Sequence, residues 1–170
     1  MKYLALITLC GFLAGCTGHV AVKMPLQEIP NGNLLARLKV NDLRTPGVAA
    51  SKREAAFGVP MGNITFDPPE ARVVKNLLEV ELTKILREKG VQSPQDYVCD
   101  IVEFGVNTNT TPLYWDVIGR IKLVLKQNGK EYDLFGTRTE RTYLWPSESI
   151  IKKVVDESLK QIVTGVRQVP

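Results

Sequence analysis

The segment from Leu113 to Tyr143 constrains the fold more than any other. Leu113, Trp115, Val117, Gly119, Ile121, Leu123 and Leu125 occupy one phase of an alternating run, and Asp116, Arg120 and Lys122 the other. Side chains two apart share a face of a strand, so this run is predicted to be a strand with one apolar face. Asn128-Gly129 follows, a pair suited to the left-handed residues of a two-residue hairpin turn. Glu131–Tyr143 then returns antiparallel. The apolar face of such a hairpin has to be covered by other elements.

Two helices can supply that cover. Asp67-Pro68-Pro69-Glu70 reads as a helix start, with Asp67 as N-cap, Pro68 in the first helical position and Glu70 closing a capping box. Val73, Val74, Leu77, Leu78, Leu82, Ile85 and Leu86 then recur at helical spacing, and Gly90 marks the end. The last helix opens after Pro146 and Ser147, with an inner stripe running from Ile150 and Ile151 to Val166. Further strands are predicted at LLARLKVNDLR (residues 34–44), at Ile64–Phe66 and at Tyr97–Val106. The last of these is apolar on both phases, as a central strand would be. The order predicts an α+β, two-layer sandwich: a mostly antiparallel sheet of about four strands with two amphipathic helices on one face. Residues 34–170 would form this single domain.

The N-terminus follows another logic. Lys2, an apolar run from Tyr3 to Leu13, and small residues make up a signal peptide, residues 1–15. The run is shorter than the roughly 20 residues a bilayer-spanning helix needs. Leu13-Ala14-Gly15-Cys16 matches the lipobox of bacterial lipoproteins. That match implies cleavage before Cys16, a thioether-linked diacylglycerol on its sulfur, and usually an N-acyl chain. Two or more chains anchor stably, each buried methylene contributing about 0.8 kcal/mol. Thr17 rather than Asp follows the cysteine, which by lipoprotein sorting rules directs the chain to the outer membrane.

Residues 16–33 are predicted to be the lipidated cysteine and a tether, with a short extended piece around His19–Val22. Residues 45–63, rich in Gly, Pro and Ala, are predicted to be a long connection, either a mobile lid or an interface. Of the three cysteines, Cys10 leaves with the signal and Cys16 carries lipid, so Cys99 is the one free thiol and no intrachain disulfide forms. Its strand, YVCDIVEF, marks it as a buried hydrophobe. The formal net charge of +4 is scattered, with no Lys or Arg run longer than two, which argues against nucleic acid.

Several of these features together resemble the YajG-like lipoprotein family. They are the lipobox, a strand ending Val40-Asn41-Asp42-Leu43-Arg44, a Gly-rich loop, a helix ending Arg87-Glu88-Lys89-Gly90, the hairpin NGKEYDLFG (residues 128–136) and the amphipathic last helix. The resemblance covers about residues 13–166. After Arg44 the chain reads Thr45-Pro46-Gly47, where the family more commonly begins Gly-Thr. The resemblance implies an envelope location and a fold rather than an activity. The layout is more distantly similar to the small α/β domains of TolB, CsgG, PelC and the auxiliary lipoproteins of envelope transporters, which serve in assembly and interaction.

Candidate sites are few. Asp42 and Arg44 continue the apolar phase Leu34, Ala36, Leu38, Val40. Arg44 can reach back to Asp42, and Asp42 can accept from loop amides. The pair therefore reads as a structural clasp or a partner contact, since nothing nearby nominates a catalytic nucleophile or second acid. Asp96, Asp100 and Glu103 fall on mixed faces of one strand and do not converge from spacing. Trp145, between Leu144 and Pro146, is an aromatic anchor for a partner or the membrane interface, or packs against the end of the sheet. The single histidine, His19, lies in the predicted tether, so neither a Ser-His-Asp set nor a His-rich metal site is expected. No phosphate loop is present by spacing, and no cofactor is expected.

The sequence thus predicts an outer-membrane lipoprotein facing the periplasm. Its domain would be non-enzymatic and would bind or scaffold part of an envelope assembly. The alternative is a carrier or sensor of a small or lipidic ligand beneath a loop lid. The expected partners are the membrane, through the lipid on Cys16, and an envelope protein; self-association into a homo-oligomer stays open.

Overall fold

A computed structural model describes residues 18–29, 33–45, 51–54 and 59–169. Its elements are β1 (Val20–Lys23), β2 (Ala36–Asp42), β3 (Ser51–Glu54), β4 (Pro60–Asp67), α1 (Glu70–Glu88), β5 (Gln95–Thr110), β6 (Trp115–Gln127), β7 (Lys130–Thr142) and α2 (Glu148–Val166). The α+β class stands. The expected sheet of about four mostly antiparallel strands does not: the sheet has seven strands and is mixed, in the order β1-β4-β3-β5-β6-β7 with β2 also on β5.

The hairpin is where its pattern put it. Asn128 and Gly129 both have positive φ, and β6 pairs with β7 from Trp115↔Thr142 to Gln127↔Lys130. β5 lies antiparallel to β6. On its other side β2 runs parallel along the first half of β5, and β3 runs parallel near Asn107. β3 turns back antiparallel onto β4, and β1 closes that end of the sheet parallel to β4.

β5 is the central strand expected, paired on both sides, and its two apolar phases come from a bulge. Tyr97, Cys99 and Ile101 point into the core on one phase, and Phe104 and Val106 on the other. The register slips between Ile101 and Glu103, leaving Val102 exposed as the extra residue of a bulge. A bulge turns the rest of a strand over by one position, so a phase switch in the sequence keeps one face inward.

Two further expectations are corrected. The short extended piece expected around His19–Val22 is β1, but instead of a free tether it is a strand of the sheet, with Val22 and the following Met24 buried. Beyond it Gln27 exchanges two hydrogen bonds with the Asn76 amide of α1, at 2.7 and 3.0 Å. The described residues from β1 to Gln27 therefore pack with the domain expected to begin at residue 34. The predicted capping box is absent as well. Asp67 ends β4, Pro69 is the N-cap, and the Glu70 carboxylate turns instead to Arg44.

Both helices pack their apolar stripes into one core with the sheet, Leu78 and Val74 from α1 meeting Ile151, Val154 and Ile162 from α2 in the same cluster. α1 also satisfies the edge of β2: Thr83 Oγ1 accepts from the amides of Leu35 and Ala36, and Glu79 Oε1 from Leu38, at 3.1–3.2 Å. An edge strand covered this way offers fewer free amides for stray pairing. α2 crosses β6 and β7 where both carry glycine. A methyl on Gly136 would overlap the backbone of Ser158, and one on Gly119 would lie 2.5 Å from Val154 Cγ1.

Candidate functional site

Asp42 and Arg44 are brought together as the sequence suggested, with a third acid added. Arg44 donates from Nε and Nη2 to the two Asp42 oxygens at 2.8 and 2.6 Å, a bidentate pair. Its Nη1 donates to the Phe104 carbonyl at 2.9 Å and to Glu70 Oε1 at 3.2 Å. The Asp42 carboxylate also accepts from the Arg44 amide at 3.2 Å. One guanidinium therefore joins the end of β2, the middle of β5 and the first turn of α1. It sits where β5 passes from its partner β2 to its partner β3, a gap in the ladder that leaves the Phe104 carbonyl available.

The buried member of the pair is Arg44, not Asp42. The Arg44 side chain is 6% exposed and that of Asp42 40%. The Arg44 hydrogen bonds hold the Asp42 carboxyl below the usual aspartate range, and Asp42, then Glu70, hold the guanidinium up. Each nitrogen of the Arg44 guanidinium donates to a protein acceptor, an arrangement suited to joining elements.

The other carboxylates disperse. Asp100 accepts from Asn41 Nδ2 at 2.8 Å and pairs with Lys126 at 3.0 Å, and these partners, Asn41 first, lower its carboxyl. Asp116 is held by Arg141 across the β6–β7 pair. Among the described residues no three His, Cys, Asp or Glu side chains could share a metal ion. Cys99 is fully buried, and burial, aided by Asp100, pushes its thiol up to about 12. Such a thiol is almost entirely protonated at neutral pH and a poor nucleophile. His19 shares a 2.8 Å hydrogen bond with Thr65 Oγ1 on the β1–β4 pair.

Sequence reasoning missed two features. The first is an open groove of about 930 Å³ between α1 and α2. Met24, Leu77, Leu159 and Val163 contribute its apolar surface, while Lys153 and Lys160 stand among its charged lining residues. The gap arises from how the two helices lie relative to one another, a relation that the periodicity of each helix does not contain. The described residues of the 45–63 connection do not line it.

The second feature surrounds Trp145. Its ring meets Trp115 edge to face at 4.9 Å, and the guanidinium of Arg53 lies 4.9 Å from its centroid. Arg53 is only 3% exposed. It donates to the carbonyls of Gly18 and Met61, while its Nε has no hydrogen-bond partner among the described residues. Burial lowers the Arg53 pKa from its ordinary value. A charge at this position in the four-residue strand SKRE hides the strand from pattern reading. Tyr114 and Tyr143 lie beside this group edge to face at 6.5 Å, with Arg141 over Tyr114 at 3.7 Å. Of the two alternatives expected for Trp145 the structure shows the packing on the sheet end, with the residue 40% exposed.

Cys16 and the signal segment lie outside the described residues, as do positions 46–50 and 55–58 of the long connection. No described helix is long and apolar enough to cross a membrane.

Fold and site together define an α+β domain with a clasped sheet, a helical groove and an aromatic end. No family model matches the chain, and no curated protein does. A solved structure titled "Crystal structure of uncharacterized protein" is similar over 90% of this chain and 100% of its own, with a TM-score of 0.53 at 12% identity. That likeness concerns the fold alone.

Proposed function

We propose that this chain is an outer-membrane lipoprotein, anchored through Cys16 and facing the periplasm, whose domain binds or scaffolds an envelope component without catalysing a reaction. The observation that carries the proposal is Leu13-Ala14-Gly15-Cys16 behind Lys2 and a short apolar run. The resemblance to the YajG-like lipoproteins belongs to the same reading. The clasp supports it too, because Arg44 spends its donors inside the fold. So does the buried, protonated Cys99.

The groove is the surface for the partner. An apolar floor within a charged surround suits a protein segment with an apolar face, of the kind that lies in a helix-lined groove. The same groove favours the second reading, a carrier of a small apolar ligand, although its open form suits a peptide better than an enclosed molecule.

Site-specific photocrosslinkers at Lys153 and Lys160, with one at Arg120 on the opposite sheet face as control, distinguish the two in intact cells. The expected result is a discrete protein adduct from the groove positions and none from Arg120. Adducts to small molecules from the groove would favour the carrier. Adducts from Arg120 alone would remove the groove from the proposal.

A further inference from the structure

We propose that the end of the sheet carrying Trp145 is a membrane-seating surface, on which the domain rests against the lipid that holds its own N-terminus. The inference rests on the lipid anchor at Cys16 and goes beyond it by fixing which face of the domain meets the bilayer.

The starting point is where the chain leaves the fold. The Gly18 carbonyl accepts a hydrogen bond from the Arg53 guanidinium. Arg53 in turn stacks on Trp145, so the residue two positions after Cys16 is tied to the aromatic end. Two peptide units span at most about 7–8 Å, so a lipid on Cys16 enters the bilayer close to this end. The tether envisaged from sequence would have let the domain stand away from the membrane. With β1 beginning at Val20, little chain remains to do so.

The chemistry of that end fits a lipid surface. Leu113 is 79% exposed at the β5–β6 turn and Leu144 78% exposed after β7. Tyr143, Trp145 and Val59 are also exposed there. The two turns are held together: Tyr114 meets Tyr143, Trp115 meets Trp145, and Thr111 Oγ1 and Thr142 Oγ1 each close their own turn by accepting from the amides of Tyr114 and Leu144. Of the surface charges on β6 and β7 at this end, Asp116 and Arg141 pair with one another at 2.8 Å. Exposed leucines flanked by Trp and Tyr match the layered polarity of a bilayer interface, where amphipathic rings settle at headgroup depth. A protein partner would have no reason to be sited at the exit of the anchored chain, whereas a bilayer is there by construction of the anchor.

The test uses the lipidated full-length mature protein in vesicles of phosphatidylethanolamine and phosphatidylglycerol, with and without phosphatidylcholine brominated near the headgroup. Trp115 and Trp145 are the two tryptophans of the chain and both report on this end. The expected result is a blue shift and bromine quenching of emission, both lost in the Leu113→Asp/Leu144→Asp double variant, which keeps its lipid and its melting temperature. Trp145→Phe should remove most of the quenched signal. Intact mass separates the two ways to fail. A protein carrying diacylglycerol whose tryptophans are not quenched overturns the seating surface and leaves the anchor standing. A protein without lipid on Cys16 overturns the anchor and the seating surface with it. Unquenched emission together with a protein crosslink that the double Asp variant loses would make this end a protein interface and overturn the inference.

Discussion

Arg44→Met lowers the melting temperature by about 6–12 °C, from a loss of roughly 3 kcal/mol in a domain of this size. The substitution keeps an unbranched apolar stem and removes the guanidinium with its donors. The Phe104 carbonyl loses its side-chain donor, and Asp42 and Glu70 lose their shared cation. Asp42→Asn costs less, because Arg44 keeps Phe104 and Glu70 and the Asp42 side chain is already part-solvated. The acid limb changes too. Arg44 holds the Asp42 carboxyl below its ordinary 3.8, so that contribution is complete above this value and is lost as pH falls through the lowered one. Arg44→Met therefore flattens the acid loss of stability as well as lowering the plateau. Melts at neutral pH and between pH 5 and pH 2, in about half-unit steps, check both effects. A neutral-pH melt of Arg44→Met within about 2 °C of the parent would contradict the clasp. So would an Asp42→Asn cost equal to that of Arg44→Met.

Gly136→Val is expected to be at least as damaging, about 3 kcal/mol or more, because α2 has to move bodily. A Cβ at this position would lie 2.1 Å from the Ser158 carbonyl oxygen, which belongs to helix backbone and cannot turn aside. The same crossing is latched by Gln161, whose amide exchanges hydrogen bonds with the backbone of Thr137 at 3.2 and 2.8 Å. Displacing α2 breaks that latch and opens the core around Val154 and Ile162. Denaturant unfolding measures the cost, and Gly129→Ala at the open hairpin turn serves as a comparison that strains the backbone without touching α2. A Gly136→Val protein as stable as the parent would mean that α2 does not lie this close to β7.

The parts of the fold that sequence disclosed are those whose pattern is local. The β6–β7 hairpin has strict alternation and a turn that needs two left-handed residues, so its register follows from a few adjacent positions. The stripe of α2 was legible for the same reason, with Ile151, Val154, Val155, Leu159, Ile162 and Val166 all buried. The strands that were missed are short, and their burial is decided by distant partners. β3 presents Lys52, Arg53 and Glu54, and its place in the sheet depends on Ser51 Oγ receiving the Val106 amide and on Thr108 and Thr110 bonding the Glu54 backbone. β1 has only four residues and reads as an extended tail until β4 is beside it. Asp67-Pro68-Pro69-Glu70 looked like a helix cap because nothing in four residues reveals an arginine arriving from position 44. The clasp itself was half legible: the Asp42–Arg44 spacing was visible, but Glu70 and the Phe104 carbonyl come from chain segments 26 and 60 residues away.

The anchor at Cys16 is the claim on which the proposed location depends, and the mass of the mature N-terminus tests it most directly. The protein should be purified from cell membranes by detergent extraction and its intact mass and N-terminal peptide determined, beside the Cys16→Ser variant processed in the same way. The expected result is a chain beginning at Cys16 with a diacylglycerol thioether and an added acyl chain, recovered with the outer membrane. Cys16→Ser should lack the lipid and leave that fraction. A parent protein that retains residues 1–15, or that begins at position 16 with a free thiol, would contradict the account. So would a Cys16→Ser protein that is cleaved normally and still sediments with the outer membrane.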